Sequence, residues 1–555
     1  MDAQVPTFDI EALEWVTPIA VGFFDGKEYH EFIKISEDHD VIWSFLQYIS
    51  KFKGIRVYAH NAAAYDNKFI LDCLTKHDEE VSFPSGLGSL LWMKYNIKFE
   101  DSYLLLGRKL ALCCEAFNVP RKLEWKHDET VNPWLMGPRL EEFSAYLKRD
   151  CLSLSAVLVA YAKLLTDNFG VVPASTIALT AVKAFDKRFF PLKDISGCDD
   201  YETFIRASTY GGRNEVYKRY GEKLNFYDVR RMYMSCYDAP VPIGRMRWVS
   251  PNIDKGFLAE AKVWVDPKKF FIGPLPYRHN GRLCFPVGEF KGWWDMIEIQ
   301  NAAKLGTDVT ITRQLDADEE PILKEFGEVI DALSRSSNPS MSKIWKLFGL
   351  RLSGKFGQHR VSTEIKHIKN LEDGEYNPID AHEVYHEVLA NRSHYKSPYI
   401  KPAINMRIRA VARVRHLNRM LEAKDVYYCD TDSIDTTGEL ATGPNPGDLS
   451  YVDYAERAYF INGKFYGYVD KSGILRQKTA GYRDYQLSES DFKRVLKGEE
   501  IPVTYRRIGD WKSVLKGMGV KLEEQRFTYK PPDSSNRIMG TIETSPIILD
   551  DRKSP

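Results

Sequence analysis

The chain has 555 residues, 77 Lys plus Arg against 77 Asp plus Glu, with 44% apolar and 28% charged residues, enough for several packed domains and far from a disordered composition. It has no apolar run of about eighteen residues and no charged-then-apolar leader, which excludes membrane-spanning and secretory readings and makes the cytoplasm the expected location. Eight scattered cysteines without a CxxC pair fit reduced thiols. Charge balance removes any overall basic excess, but the charge is uneven: 343–360 carries five Lys or Arg and 401–419 six, with no acid in either.

In chain order, TFDIEALEW predicts a strand on which Asp9 and Glu11, two apart, face the same side. In YAHNAAAYDNKFI, Asn61 and Asp66 follow a second apolar strand. EEFSAYLKRDCLSLSAVL has a helical pattern that stacks Tyr146 and Asp150 on one face. Four carboxylates and a tyrosine suit two-metal hydrolysis of a phosphodiester, with Tyr146 orienting water and Asp9, Glu11, Asp66 and Asp150 holding the ions. Taken singly, each is better explained as an edge strand, a turn or a solvated helix pair.

Further on, LNFYDVRRMY predicts a strand over 224–227 that delivers Asp228 at its end, with Tyr233 starting a helix. KPAINMRIRAVARVRHLNR reads as a helix with Ala and Val between its arginines, and its place before the next motif predicts that it tracks a DNA backbone. DVYYCDTDSIDTTG predicts a strand over 426–429, a tight acidic turn and a returning strand, with Asp430 and Asp432 at the tip. Two such carboxylates repel unless a cation lies between them, and hard oxygen ligands on a rigid turn suit Mg²⁺. An isolated DxD is ordinarily a solvated turn; the other motifs are what favour a metal site here.

Asp228 with Tyr233, then Lys346 in KLFGLRLSGKFG, then YCDTDS resemble, in order and spacing, the A, B and C motifs of family B DNA polymerases. TYGGRNE resembles the YxGG loop of the protein-primed branch, Arg457-Ala458-Tyr459 its KxY element, and KTAGY at 478–482 its later lysine-glycine segment. The amino-terminal residues resemble the DxE, Nx(3 or 4)D and YxxxD motifs of DEDDy proofreading exonucleases, and Lys122 in PRKLEW resembles the lysine placed near the scissile phosphate.

The resemblance implies an α/β and α+β multidomain chain: an RNase H-like 3′-5′ exonuclease domain followed by a right hand of palm, fingers and thumb. The implied divisions are exonuclease 1–165; linker, loop and first palm part 166–250; an insertion contacting a terminal protein 251–320; fingers 321–357; a second insertion for strand displacement and processivity 358–400; second palm part 401–490; and thumb with a polar tail 491–555. It implies two Mg²⁺ per active site, replaceable by Mn²⁺. Asp228, Val229 and Asp432 would hold the polymerase ions with Asp430 in support, and Asp9, Glu11, Asp66 and Asp150 the exonuclease ions. Tyr233 would exclude a ribose 2′-hydroxyl, Lys346 would neutralise triphosphate, and Asn61, Lys122, Lys478 and Tyr459 would contact DNA. The implied partners of this monomer are template and primer DNA, dNTPs and a terminal protein, with Arg278, Arg282, Trp293 and Trp294 as candidate contacts in the first insertion.

Departures from the pattern lie in motif A, where DxxSLYP becomes Asp228-Val229-Arg230-Arg231-Met232-Tyr233-Met234 with an arginine for the serine, and in motif B, where Leu350 and Ser353 replace an asparagine and a tyrosine. The YxGG tyrosine position holds Thr209, with Tyr210 one residue later. Helical geometry puts Lys346, Leu350 and Ser353 on one face, which predicts weaker checking of the nascent base pair. Three other readings stay open: a nuclease whose polymerase half is only a DNA-binding platform, a DNA-primed polymerase, and a replication protein without chemistry.

Overall fold

Period-2 burial builds the first of the three larger sheets. The computed structural model describes residues 4–126, 130–195, 199–359, 361–367, 377–378, 385–391, 397–479, 486–530 and 536–550. Seven strands lie in the order Tyr29–Ile33, Thr17–Phe24, Thr7–Leu13, Arg56–Ala59, Ile97–Asp101, Ser89–Trp92, Val81–Ser82. Along Thr7–Leu13, Phe8 and Ile10 point into a core shared with the helices Val41–Ile49 and Asp66–Lys76. The alternate residues face the long helix Arg139–Phe169, where Thr7 Oγ1 donates to Cys151 O at 2.8 Å. Gly22 permits that approach, since a Cβ there would lie 2.9 Å from Leu147 Cγ.

The second sheet is antiparallel, in the order Leu475–Thr479, Phe465–Asp470, Leu449–Asn462, Tyr220–Val229, Ser433–Thr436, Val426–Asp430, Asn214–Val216. Its central strand ends one residue beyond Asp228, and the neighbouring hairpin brings the acidic turn to the same end. Two helices, Lys324–Arg335 and Pro339–Phe356, form a hairpin beside it, the second capped by Asn338, whose Oδ1 accepts from Met341 N–H at 2.8 Å. Its Phe348 stacks on Phe169 of the long helix, joining the two halves in one core.

The third sheet comes from 251–320 with its flanks: Arg247–Val249, Asp308–Asp316, Leu258–Val265 and Val287–Asp295, edged in parallel by Ile548–Asp550. It has its own core, in which Trp294 is fully buried and its indole donates to Pro276 O at 2.7 Å. Trp294 is therefore a packing residue and not a partner contact. Arg278 is likewise occupied, by the carbonyls of Ala207 and Thr209, and Trp293 packs on Phe204 and Trp248.

Two further expectations need correction. The carboxyl end is not a polar tail, since Arg537–Met539 pairs with Thr544–Pro546 and the fully buried Arg537 guanidinium sits over Tyr217 and Phe271. Nor does the basic helix, Pro402–Glu422, offer all its arginines to a DNA backbone. Arg407 is buried against Asp295 and Glu319, Arg413 against Glu298, and Arg415 pairs with Asp238. A basic run without acids looks unpaired in sequence because its partners lie elsewhere in the chain.

From 358–400, Val361–His367 pairs with Tyr385–Asn391, which also pairs with Asn377–Pro378; the rest of that stretch lies largely outside the described residues. The hairpin Ile501–Ile508 with Leu522–Tyr529 docks on the first sheet's core through Val514 and Leu515, and Lys68 Nζ donates to Gly509 O at 2.8 Å. Among the described residues no helix is long and apolar enough to cross a membrane.

Candidate active sites

Two separate carboxylate clusters form. In the first, Asp9 and Glu11 project from their strand toward Tyr146 and Asp150 on the long helix, and Asp66 opens the helix Asp66–Lys76 with its Oδ1 accepting from Ile10 N–H at 3.0 Å. Asn61 adopts a left-handed backbone (φ 67°) and, with Asp9, Glu11, Asp66, Lys122 and Tyr146, lines a cleft of about 680 Å³. Lys122 Nζ pairs with Asp150 and lies 3.4 Å from the Tyr146 hydroxyl. All the residues read from the amino-terminal motifs therefore converge, Lys122 included.

Burial, reinforced by Asp150, Glu11 and Asp66, pushes the Asp9 carboxyl well up. Burial likewise raises Glu11 to about 7 and Asp66 to about 7. Asp9 Oδ2 is buried with no hydrogen-bond partner among the described residues. Crowded, orphaned carboxylate oxygens with one lysine among them are a donor set that a hard divalent cation fits.

Sequence reading missed two groups here. Asp101 accepts from Ala63 N–H at 3.2 Å and Tyr103 N–H at 2.8 Å, so it shapes the turn that presents Asn61; an acid ending the short strand IKFED was the available signal. Trp15, 52% exposed, meets Tyr65 edge-on at the mouth of the cleft, where a base can stack.

The second cluster sits at the end of the antiparallel sheet. Asp228 is paired in register with Ser433, and Val229 N–H donates to Asp432 O at 2.8 Å, which draws the two acids together. The turn holds Thr431 at φ 64°, unusual for a β-branched residue, with its N–H donating to Arg213 O at 2.6 Å. Gly212 makes room for it, because a Cβ there would meet Thr431 Oγ1 at 2.6 Å. The second glycine of the YxGG-like loop thus braces the acidic turn.

Asp432 is raised to about 7 by burial and by the charges of Asp228 and Asp430, while Lys346 opposes the shift. Burial raises Asp228 too, against Lys346 and Lys478. This pair again suits a divalent cation, with the Val229 carbonyl on the same strand end. Asp430 is differently placed: Lys464 Nζ at 3.2 Å, Lys478 Nζ at 3.1 Å and Asn214 Nδ2 at 3.3 Å occupy its oxygens. Lys464, in the turn of a hairpin, was not read from sequence, and neither was Asp435, a buried acid whose carboxyl burial pushes well up.

Beside Asp228, Arg230, Arg231, Arg335 and Lys346 line a cleft of about 280 Å³. The Arg231 guanidinium is tied to Asp331 and Ser334 of the helix hairpin. Tyr233 stands half-buried at the start of the short helix Met232–Ser235.

One expectation fails in this region. Ser353 is not open to the cleft: it is 5% exposed, its hydroxyl donates to Leu350 O and its carbonyl accepts from Asn405 Nδ2 at 2.7 Å. The face that begins in solvent at Lys346 therefore ends in the core at Ser353. Tyr459 stands apart from the carboxylates. It pairs with Tyr220, eight residues along the strand from Asp228, about 26 Å away at about 3.3 Å per residue, and its hydroxyl donates to Glu489 at 2.6 Å. Ala480, Gly481 and Tyr482 of the KTAGY segment lie outside the described residues.

The sequence family described as DNA polymerase type B, organellar and viral, matches residues 138–439, more than half of the chain. A protein named probable DNA polymerase from Neurospora intermedia is 24% identical over 92% of this chain and 62% of its own length. Another of that name from Ascobolus immersus is 23% identical over 89% of this chain and 48% of its own, so the chain spans less than two thirds of either relative. The DNA-directed DNA polymerase of Enterobacteria phage PRD1 is 24% identical over 75% of this chain and 73% of its own. Phi29 DNA polymerase complexed with primer-template DNA and incoming nucleotide shares the fold, with a TM-score of 0.72 at 17% identity over 96% of this chain and 100% of that one.

Proposed function

This chain belongs to the organellar and viral type B DNA polymerases, and from that premise we propose that it is a DNA-directed DNA polymerase with a 3′-5′ proofreading exonuclease, copying a linear genome by protein-primed initiation and strand displacement. The observation that carries the reading is the meeting of Asp228 and Asp432 beside a cleft lined by Arg230, Arg231, Arg335 and Lys346, separate from a second carboxylate cluster around Asp66. Family B polymerases use divalent metal ions. Two Mg²⁺ per site, or Mn²⁺, would supply Lewis-acid charge, held by Asp228, Asp432 and the Val229 carbonyl in one site and by Asp9, Glu11, Asp66 and Asp150 in the other.

The chain's own groups then divide the work. Lys346 and Arg230 neutralise an incoming triphosphate beside Asp228, and Tyr233 fills the space that a ribose 2′-hydroxyl needs. Lys464 and Lys478 hold Asp430, so the turn keeps its shape around adjacent like charges. In the other site, Tyr146, bonded to Glu11, orients the attacking water, Lys122 neutralises the scissile phosphate, and Asn61, Trp15 and Tyr65 receive a single-stranded end. On this reading 1–165 is the exonuclease, 166–250 and 401–490 the palm, 321–357 the fingers, 358–400 the strand-displacement insertion and 491–555 the thumb with the returning carboxyl end. Protein priming rests on the loop Tyr210-Gly211-Gly212 and on the inserted sheet of 251–320.

The test is side-by-side assay of primer extension and single-strand degradation. Asp228→Ala and Asp432→Ala should each abolish extension and leave degradation, and Asp9→Ala and Asp66→Ala should do the reverse. Loss of both activities from one folded substitution defeats the two-site assignment, and degradation without any extension by the unsubstituted protein favours the nuclease reading.

A further inference from the structure

The end of the helix Asp66–Lys76 away from Asp66 carries a donor set that neither carboxylate cluster uses. Cys73 and His77 are four residues apart, so their side chains stand one above the other. Asp40 caps the helix Val41–Ile49 through Oδ1, which accepts from Trp43 N–H at 2.9 Å. Its other oxygen turns toward the pair: Oδ2 lies 3.7 Å from Cys73 Sγ and 4.0 Å from His77 Nε2. All three donor atoms fall within 4.8 Å of one another.

A tetrahedral zinc ion with bonds of about 2.0–2.3 Å separates its ligand atoms by about 3.3–3.8 Å, so the cluster needs only a small contraction to close on one. The His77 ring is stacked on Trp43 with centroids 3.7 Å apart and 9° between planes, which fixes its orientation. One sulfur, one imidazole nitrogen and one carboxylate oxygen make a mixture that zinc accepts and magnesium does not. Cys73 is buried while Asp40 and His77 reach the surface, so a fourth position opens to water.

We propose that Asp40, Cys73 and His77 bind a zinc ion, completed by water, that ties the start of the helix Val41–Ile49 to the end of the helix Asp66–Lys76. The site stands about 15 Å from Asp66 at about 1.5 Å per helical residue, and it is independent of the nuclease carboxylates. Its effect would be to fix the helix that carries both Asp66 and Lys68, the residue bonded to Gly509.

The experiment loads the full-length protein with zinc in excess Mg²⁺, removes free metal by gel filtration and measures bound zinc by mass spectrometry. Asp40→Asn keeps the helix cap and His77→Phe keeps the stacking on Trp43, so each removes a ligand without removing its packing role. The expected result is one zinc per chain, lost in both variants, with a rise in Tm on zinc addition that neither variant shows. Cobalt loading adds a direct reading of the sulfur: the thiolate-to-cobalt charge-transfer band should vanish in Cys73→Ser. If Cys73→Ser does not fold, the other two variants decide. No zinc retained by the unsubstituted protein, or zinc retained equally by Asp40→Asn and His77→Phe, overturns the site.

Discussion

Asp66 and Asp432 sit in different domains but share one electrostatic situation: burial pushes each carboxyl to about 7, as it does Glu11. The folded chain therefore binds these protons more tightly than the unfolded chain does. In metal-free buffer, stability should fall as pH rises from about 4 to about 7 and then level off, because the native state holds the extra protons across that window. Divalent metal, by holding the ionised forms, should flatten the fall. The measurement is Tm against pH in EDTA and in Mg²⁺; Asp66→Asn and Asp432→Asn should each lessen the EDTA slope by a few degrees in total, and an unchanged slope in both would show that other groups set it. Tyr233 supports a second expectation at this scale. Tyr233→Val should raise ribonucleotide incorporation, about tenfold or more, read by competition between dNTPs and rNTPs, and an unchanged preference rejects the steric role. Ser353 shows where reading by residue runs out. Helical spacing placed it beside Leu350, but only the fold shows that the face turns inward there, so Ser353→Tyr should cost folding stability through overpacking by about 1–3 kcal/mol before it alters selectivity.

At the scale of elements, two buried arginines wire the inserted sheet to the acidic turn and a third fastens the same sheet to the helix Pro402–Glu422. Arg213 donates to Gly273 O at 2.6 Å and lies 3.5 Å over the Phe285 ring, while its own carbonyl accepts from Thr431 N–H. Arg413 forks onto Glu298 and also donates to Tyr210 O at 2.7 Å and Gly211 O at 3.2 Å. Arg407, on the same helix as Arg413, is the third, held by Asp295 and Glu319. Glu298→Ala strands a buried cation and should destabilise the fold by about 3–5 kcal/mol, measured by denaturant unfolding. Because Arg413 also shapes the loop under Thr431, extension should fall more than degradation; equal losses would mean that the pair only holds the fold. The strands and helices carrying the two sites were legible, since alternation and helical spacing are local signals that Thr7–Leu13, Tyr220–Val229 and Arg139–Phe169 display within themselves. The wiring was not, because the acidic partners of Arg407 and Arg413 lie 88 to 115 residues away, a separation that no period encodes. Lys464 escaped notice for the same reason: a turn lysine acquires meaning only when its hairpin folds against Asp430.

For the whole molecule, the inserted sheet is part of the framework as well as the candidate platform for a terminal protein. Removing 255–310 would take Asp295 and Glu298 from Arg407 and Arg413, empty a hydrophobic core and leave the strand Ile548–Asp550 without its neighbour. Such a deletion should abolish DNA-primed extension along with any priming by protein, so it cannot separate the two. A surface substitution can. Trp264, on the strand Leu258–Val265, keeps 41% of its surface exposed, and an exposed aromatic on a rigid sheet is the kind of residue that anchors a protein partner. Trp264→Ala should cut formation of the covalent adduct between a terminal protein and the first nucleotide by about tenfold, equivalent to about 1.4 kcal/mol of docking energy. Extension of a DNA primer and Tm should stay level, since no buried partner is lost. Parallel losses in both reactions would return Trp264 to the framework, and adduct formation that ignores the substitution would move the docking surface elsewhere on the chain.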